Sequence, residues 1–255
     1  MGIVNVTEDS FSDGGRFLDS ARAIDHGKRL ARDGAAIVDV GGESTRPGAA
    51  SVRADLELAR VIPVVEALAR EGIVVSVDTM KPEVMSAAAS AGAAVINDVN
   101  AFRAPGAMEA VAKLDVGLVV MHMQGAPETM QQAPHYDDVV GEVGAFLAER
   151  ARALEAAGVA RDRIALDPGF GFGKTFDHNK ALFRALPELA SLGYPLVVGV
   201  SRKRMIADLT GRGVYERTSG SVAAALLAAQ NGARILRVHD VRETVDAIHT
   251  WMGLK

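Results

Sequence analysis

Short apolar runs alternate along this chain with longer segments in which apolar residues recur at helical spacing. The short runs are rich in Val, Ile and Leu, which is typical of strands covered on both faces. They predict eight strands: Ile3–Val6, Ile37–Gly41, Val74–Asp78, Val95–Asp98, Leu118–His122, Ile164–Asp167, Leu196–Val200 and Ile235–His239. The segments between and after them predict eight helices: Ser20–Asp33, Ala54–Ala69, Pro82–Ala91, Pro105–Leu114, Asp138–Ala157, Asn179–Leu192, Thr218–Asn231 and Val241–Met252.

A shared pattern marks three of the predicted joints between a helix and the next strand. In each, a glycine precedes alanine and a run of β-branched residues; the glycines are Gly34, Gly92 and Gly232. A glycine there suits the left-handed residue that ends a helix, and repeated joints of this kind imply parallel strands. Eight such units closing on themselves form a (β/α)8 TIM barrel, which we predict as a single domain over residues 1–255. An open doubly wound sheet is the alternative, and it is disfavoured because no Gly-x-Gly-x-x-Gly follows the first strand.

Composition narrows the class of partner. The chain has 49% hydrophobic and 5% aromatic residues, a formal net charge of −4 and no cysteine. Without a block of Lys and Arg it offers nothing to hold a nucleic-acid backbone or an anionic membrane, so we predict small-molecule partners. No apolar run approaches the ~20 residues of a membrane span, and no signal peptide is visible, so we predict a cytoplasmic protein.

Polar residues stand at the predicted carboxyl ends of the strands, where (β/α)8 enzymes carry their active sites. A single polar strand end can serve as a helix cap, but a complete ring of them implies a polar ligand or ordered water, because a buried unpaired polar group costs roughly 2–7 kcal/mol. The ring comprises Asn5, Glu43, Asp78, Asn97, His122, Asp167, Ser201 with Lys203, and Arg237 with His239.

The stretch from Ile164 to Lys174 holds the most concentrated signal. A strand ends at Asp167, and glycines at 169, 171 and 173 open the following loop. Such glycines permit positive φ and close approach of the backbone to a ligand. The Gly-Lys-Thr at its end resembles a phosphate-binding P-loop, but that motif requires glycine where this chain has Pro168. We therefore interpret the stretch as a strand end that carries an acid.

These residues resemble one known family, the dihydropteroate synthases of folate biosynthesis, essentially from end to end. The resemblance implies a transferase, a target of sulfonamides, that condenses 6-hydroxymethyl-7,8-dihydropterin pyrophosphate with para-aminobenzoate, with the help of Mg²⁺. It also implies a homodimer, whose face could include Leu226, Leu227, Ile248, Trp251 and Met252, although these side chains could equally pack on the barrel. The motifs that carry the resemblance are 1–7, 9–15, 42–48, 76–79, 96–98, 121–125, 167–174, 201–203 and 237–239.

The resemblance assigns the pterin ring to four of the strand-end residues. A carboxylate accepts the paired N–H donors of the pyrimidine edge, and we expect Asp167 to do so. We expect Asp78 and Asn97 to bind other polar atoms of the ring, and Lys203 to donate to its acceptor side. The alternative for Asp78 is a helix cap, and for Asn97 a turn before Phe102.

The pyrophosphate needs cations, and we expect Thr45, Arg46, Arg237 and His239 to surround it. Arg237 and His239 lie two apart on one strand and should face the same anion. Asn5 offers one neutral oxygen, which suffices for Mg²⁺ only if phosphate oxygens and water complete the coordination.

Two glycine-bearing loops, Thr7 to Phe17 and Glu43 to Ser51, could simply connect their neighbours, but the first is longer than barrel closure needs. We expect them to order over substrate, with Asp13 near the reacting centre and Arg46 near the anion. The residues expected against para-aminobenzoate are Phe11, Pro47, Phe170, Gly171 and Ser201.

The sequence departs from the family pattern at Glu8, where members usually carry proline, and at Met1, upstream of which they usually carry further residues. The start is either truncated or leaves the barrel floor more open. Glu8 keeps a non-catalytic pterin-binding paralogue open as an alternative. A methyltetrahydrofolate-binding barrel is a weaker alternative, because it has no pyrophosphate to hold. For His122, a role in the pocket wall and a role as a packed core histidine remain equally open.

Overall fold

A computed structural model describes residues 1–6, 16–44, 49 and 51–255, with the backbone alone at 16–19. Eight parallel strands form one sheet in the order of the chain. The strands are β1 (Gly2–Asn5), β2 (Val38–Gly41), β3 (Val75–Asp78), β4 (Val95–Asp98), β5 (Gly117–Met121), β6 (Ile164–Asp167), β7 (Leu196–Val198) and β8 (Ala233–Leu236).

Helices follow every strand. They are α1 (Arg16–Arg32), α2 (Ala54–Arg70), α3 (Pro82–Ser90), α4 (Ala107–Ala112), α5 (Val139–Ala156), α6 (Phe176–Arg184), α7 (Leu186–Ala190), α8 (Arg204–Thr210), α9 (Thr218–Gln230) and α10 (Val241–Leu254), with short 3₁₀ turns at Arg161–Arg163 and Val214–Glu216. None of the helices within the described ranges combines the length and apolar character that crossing a membrane requires.

The sheet closes on itself where the chain leaves β8. Val238 bridges Gly2 in parallel, the Ile3 amide donates to the Val238 carbonyl at 3.1 Å, and the Val238 amide donates to the Met1 carbonyl at 2.9 Å. The predicted (β/α)8 barrel is thereby confirmed.

The structure differs from the prediction in one helix and in one segment for which no helix was predicted. The segment predicted as one helix over Asn179–Leu192 is two, α6 and α7, because Pro187 in the first turn of α7 has no N–H to continue the earlier helix. The segment after β7 contains α8, whose seven residues are too few to show a clear helical period.

Alternation along the strands divides the barrel into an outer apolar shell and an interior. Side chains such as Val40, Val77 and Leu166 pack outward against the helices, and Val143 and Leu147 of α5 are fully buried against them. This face of α5 is therefore part of the outer core. The interior holds a separate apolar layer of Val119, Ala165 and Val197 with Val95 and Ile235 at its edge. Above this layer, toward the carboxyl ends of the strands, the interior becomes polar.

Candidate active site

The structure describes only part of the predicted site. Phe11, Asp13, Thr45, Arg46 and Pro47 lie outside the described residues, as does Glu8. Apart from the ring of Phe170, the remaining predicted residues lie at the carboxyl ends of the strands, in the mouth of the barrel.

Strand register places three of the predicted residues at one level. Asn5 of β1 pairs with Gly41 of β2, Gly41 with Asp78 of β3, and Asp78 with Asn97 of β4. A Cβ atom at Gly41 would lie 3.7 Å from the Asp78 Cβ and 3.9 Å from the Asn5 Oδ1. A methyl group at Gly41 would thus make ordinary van der Waals contact with both side chains, so the glycine leaves room for no more than about one methyl group there.

Arg237, which directly follows β8, connects that side of the barrel to the row formed by Asn5, Asp78 and Asn97. Its Nε donates to Asp39 Oδ2 at 2.7 Å and its second terminal nitrogen donates to Asp78 Oδ2 at 2.9 Å. Asn97 Nδ2 lies 3.4 Å from the same Asp39 oxygen. Asp39 is fully buried and was not predicted as a site residue. A charged residue at the centre of the Val-rich strand β2 is the signal that could have identified it.

Charges within this cluster shift the pKa values of Asp78 and Arg237. Burial raises the pKa of Asp78 to about 7, an effect that Arg237 opposes and Asp39 reinforces. Burial alone would lower the pKa of Arg237, but the two carboxylates raise it above its ordinary value. Arg237 is therefore a permanent cation, whereas Asp78 can exchange a proton near neutral pH.

Three buried polar atoms in this part of the barrel have no hydrogen-bond partner among the described residues: Asp39 Oδ1, Ser76 Oγ and Asn97 Oδ1. A buried polar atom without a partner is costly, so these atoms mark a place for a polar ligand or water. Asn97 lies at the carboxyl end of its strand, so its free oxygen is the one a ligand in the mouth can reach.

The predicted structural alternatives, a helix cap for Asp78 and a turn before Phe102 for Asn97, are both wrong. The turn before α3 is held by Thr79, whose Oγ1 accepts from the Lys81 amide at 3.2 Å, and not by Asp78. The turn after β4 is held by Asp98, which accepts from the Asn100 and Phe102 amides at 2.7 and 2.6 Å.

Asp167 and Lys203 occupy the opposite wall. Asp167 is 5% exposed, and its Oδ1 accepts from the Gly169 amide at 2.7 Å. Burial raises the pKa of this carboxyl, and the Lys203 charge opposes the rise. Burial lowers the pKa of Lys203 to about 8, with Asp167 acting against it. The Lys203 ammonium donates to the Phe170 carbonyl and lies 4.8 Å from the centre of the Phe172 ring.

The loop after Asp167 needs its glycines for close packing. Gly169 and Gly173 have φ of +69° and +63°. A Cβ at Gly169 would lie 1.9 Å from the His122 carbonyl oxygen, and one at Gly173 would lie 2.6 Å from that of Gln124. The carbonyls of Gly169 and Phe172 both accept from Lys174 at 3.0 Å, which agrees with the rejection of a phosphate-binding loop.

The prediction that the Phe170 ring lines the aminobenzoate site needs correction. This ring is fully buried in the outer core, where it packs edge-on against Phe183 at 5.9 Å. The half-buried ring beside Lys203 belongs to Phe172. Gly171 does lie near the site, because a Cβ there would be 3.4 Å from the Lys203 side chain.

Ser201 and His239 form a pair at the end of β7. Ser201 Oγ lies 3.1 Å from His239 Nδ1 and also accepts from the His239 amide at 3.1 Å. Arg237, predicted to face the same anion as His239, is bound instead to Asp39 and Asp78. The described arrangement thus gives the two basic residues different partners.

Glu43, another polar strand end, anchors the second loop. Its Oε1 accepts from the Val52 amide at 3.0 Å, and its other oxygen pairs with Lys81, which also contacts the fully buried Glu57 at 2.5 Å. Glu43 therefore shares the single positive charge of Lys81 with Glu57.

The donor set suits only a weakly held metal. Within the described ranges, no group of three or more His, Asp or Glu side chains could hold a metal ion. The amide oxygen of Asn5 lies beside Gly41, at the carboxyl end of β1. One neutral oxygen fits Mg²⁺ that is coordinated mainly by phosphate and water.

A barrel with this ring of acids, amide and lysine matches a known class. The profile of the pterin binding enzyme family matches residues 1–239. The chain therefore belongs to the pterin-binding enzymes.

Its relatives within that family are dihydropteroate synthases. The enzyme from Escherichia coli K12 is 53% identical over 249 residues, which span 97% of this chain and 88% of that protein. A structure of the Xanthomonas albilineans enzyme with 4-aminobenzoic acid superposes with a TM-score of 0.94 at 56% identity, covering 100% of this chain and 92% of that one. A second structure from that organism, in complex with 7,8-dihydropteroate, gives a TM-score of 0.91 at 54% identity, with the same coverage.

Proposed function

We infer that this chain is a transferase of the dihydropteroate synthase type, which condenses 6-hydroxymethyl-7,8-dihydropterin pyrophosphate with para-aminobenzoate to give 7,8-dihydropteroate and pyrophosphate. The observation that carries the inference is the polar mouth of the barrel. There, the charge of Lys203 acts on the buried carboxyl of Asp167, and Asn97 Oδ1 has no hydrogen-bond partner among the described residues. The product complex of the 54% identical Xanthomonas enzyme supports the same reaction.

The pterin ring fits this mouth by its hydrogen-bonding pattern. Its pyrimidine edge carries an amino group and a ring N–H side by side, and a carboxylate can accept both. Asp167 is that acceptor. Asn97 accepts from a further donor, Lys203 donates to the acceptor side of the ring, and Asp78 binds another polar atom beside Arg237.

The pyrophosphate occupies the side of the mouth near Asn5 and His239, together with Thr45 and Arg46. Mg²⁺, when bound there with Asn5 as a ligand, would neutralise charge on the departing pyrophosphate. Arg237 contributes a permanent positive charge, although Asp39 and Asp78 offset it. The anion therefore needs a further cation, and we assign that role to Arg46.

The reaction needs no covalent nucleophile on the protein. The methylene carbon loses pyrophosphate to give a cation that the electron-rich pterin stabilises. The amine of para-aminobenzoate then attacks this carbon and loses a proton to give the neutral secondary amine of dihydropteroate. The protein must orient the amine and keep water away from the cation. Asp13 acts near the reacting centre, and Phe11, Pro47, Gly171 and Ser201 line the aminobenzoate site, with Phe172 in the place first given to Phe170.

The test is turnover. Wild-type protein with the pterin pyrophosphate, para-aminobenzoate and Mg²⁺ should release pyrophosphate and dihydropteroate in equal amounts. Tight pterin binding without product would support the non-catalytic paralogue. Binding of methyltetrahydrofolate with no affinity for the pyrophosphate would support the methyltransferase-type barrel.

We also propose a homodimer formed by α9 and α10. Leu227 and Met252 are 49% and 65% exposed, and a groove of about 540 Å³ between these helices is lined in part by Leu226 and Trp251. Sedimentation should give twice the chain mass of 26.8 kDa, and a Leu227→Glu and Met252→Glu double variant should give the monomer. A wild-type monomer at micromolar concentration would refute this interface. The cytoplasmic location and the single-domain assignment stay predictions from the sequence.

A further inference from the structure

Lys174 ends the glycine loop, and its side chain turns back underneath that loop. The residue is only 3% exposed. Its ammonium lies 2.9 Å from His122 Nδ1 and 3.0 Å from the carbonyl oxygens of Gly169 and Phe172, with the His122 carbonyl at 3.4 Å. An ammonium has three N–H donors, and the three nearer acceptors match them in number. Lys174 thus joins the segment that leaves β5 to the loop that leaves β6.

The protonation of His122 is consistent with this arrangement. Burial, reinforced by the charge of Lys174, lowers the pKa of His122 to about 3. The imidazole is therefore neutral, and its Nδ1 can accept an N–H of the Lys174 side chain. Burial also lowers the pKa of Lys174 to about 7, an effect that the charge of Asp167 opposes. The His122 ring is fixed in turn by Phe146 and Tyr136, whose ring centres lie 4.9 and 6.1 Å away.

The loop held by Lys174 is also the loop that restrains the two residues proposed to grip the pterin. The Gly169 amide donates to Asp167, and the Phe170 carbonyl accepts from Lys203. Lys174 donates to the carbonyls of Gly169 and Phe172, which flank Phe170 in the turn. The Phe172 amide also donates to the Gly169 carbonyl at 3.1 Å. A shift of this turn would move the attachment points of both Asp167 and Lys203.

We propose that Lys174 is a positioning residue for pterin binding, which acts on Asp167 and Lys203 through the carbonyls of the glycine loop. The proposal rests on the pterin-binding function of the mouth. A buried lysine that binds carbonyls could also serve stability alone. The two roles differ in whether loss of Lys174 is coupled energetically to loss of Lys203.

A double-mutant cycle separates them. Affinity for 6-hydroxymethyl-7,8-dihydropterin pyrophosphate with Mg²⁺ is measured by calorimetry for wild type, Lys174→Met, Lys203→Met and the double variant. We expect each single variant to bind about 10-fold more weakly, and the double variant only about 20-fold more weakly, where independent effects would give about 100-fold. In turnover, Lys174→Met should raise KM for the pterin more than it lowers kcat.

Arg163 offers a matched control at the amino ends of the strands. It also holds backbone carbonyls, those of Val116 at 2.8 Å and Leu114. Arg163→Met should lower the melting temperature, leave the affinity for the probe unchanged, and combine additively with Lys203→Met. Unchanged probe affinity in folded Lys174→Met, or an additive cycle with Lys203→Met, would overturn the proposal.

His122→Phe is a second variant that keeps the lysine and removes one acceptor. A phenyl ring can occupy the aromatic contacts of the imidazole, so this variant should fold even if Lys174→Met does not. We expect about 3-fold weaker probe binding, again coupled to Lys203→Met, and unchanged affinity would overturn the proposal. A wild-type protein that does not bind the probe refutes the proposed function, whereas normal wild-type binding with unaffected variants refutes only the role of Lys174.

Discussion

Substitution of Asp167 by asparagine separates the function of this buried acid from its effect on stability. The side chains have the same shape, and Asn Oδ1 can still accept from the Gly169 amide, which lies 2.7 Å from the Asp167 oxygen. The amide NH₂ group, however, meets a pterin N–H donor with another donor. Loss of one hydrogen bond to a charged group costs about 1.5–3 kcal/mol, which weakens pterin binding by roughly 10- to 150-fold.

The same change should leave the fold at least as stable. Burial raises the pKa of Asp167 above its value in the unfolded chain. For a carboxyl group with a raised pKa, stability falls as pH increases between the unfolded and folded values, because only the unfolded chain loses its proton there. A neutral asparagine does not incur this loss, so the melting temperature at pH 7.5 should equal or exceed that of wild type.

Calorimetric titration with the pterin pyrophosphate and a thermal melt test both effects on the same samples. The expected result is weaker binding without a lower melting temperature. Equal affinity for wild type and Asp167→Asn would refute the assignment of the pterin edge to this residue. Weaker binding accompanied by a large loss of stability would indicate a structural role instead.

Three further predictions concern the rest of the mouth and the corrected aromatic residue. Because the pKa of Asp78 is raised to about 7, the stability of Asp78→Asn relative to wild type should increase between pH 4 and pH 7 and stay constant above about pH 7. Thermal melts of both proteins across this pH range measure the difference, and a difference that does not change with pH would contradict the raised pKa. Arg237→Met leaves two buried carboxylates without their cation and should lower the free energy of unfolding, measured by denaturant titration, by about 3–5 kcal/mol. Adding Asp39→Asn should restore part of that free energy, and no restoration would contradict the ion-pair explanation. Phe170→Ala should cost about 3–5 kcal/mol of stability, whereas Phe172→Ala should affect stability little and raise KM for para-aminobenzoate; the opposite pattern of melts and kinetics would restore the original assignment.

The strands and the composition of the mouth could be predicted because both follow from local patterns. Short Val- and Ile-rich runs mark buried parallel strands, and a polar residue at the end of such a run has no place in the outer core. Asp78, Asn97 and Asp167 were identified in this way, and all three lie in the barrel mouth.

The partners within the mouth could not be predicted, because they come from distant parts of the chain. Arg237 binds Asp39 across 198 residues, and no local pattern connects them. Its predicted role as a free anion-binding cation overlooked that carboxylate. Asp39 lies inside the predicted strand Ile37–Gly41, but only polar residues at strand ends were considered as site residues.

The exchange of Phe170 and Phe172 has a different cause. In a regular strand, alternation would place both rings on the same side. Gly169 and Gly171 have positive φ and break this alternation, so one ring enters the outer core and the other remains beside Lys203. The sequence of a loop with several left-handed glycines does not reveal which of its side chains faces the ligand.

A crystal structure of this protein with bound 7,8-dihydropteroate tests the central claim most directly. The account predicts that the pterin ring lies in the barrel mouth, with Asp167 accepting two N–H donors at about 2.7–3.1 Å and Asn97 Oδ1 accepting a third, while Lys203 donates to the opposite side of the ring. A pterin bound elsewhere, or one in the mouth that leaves Asp167 without a ligand contact, would contradict it.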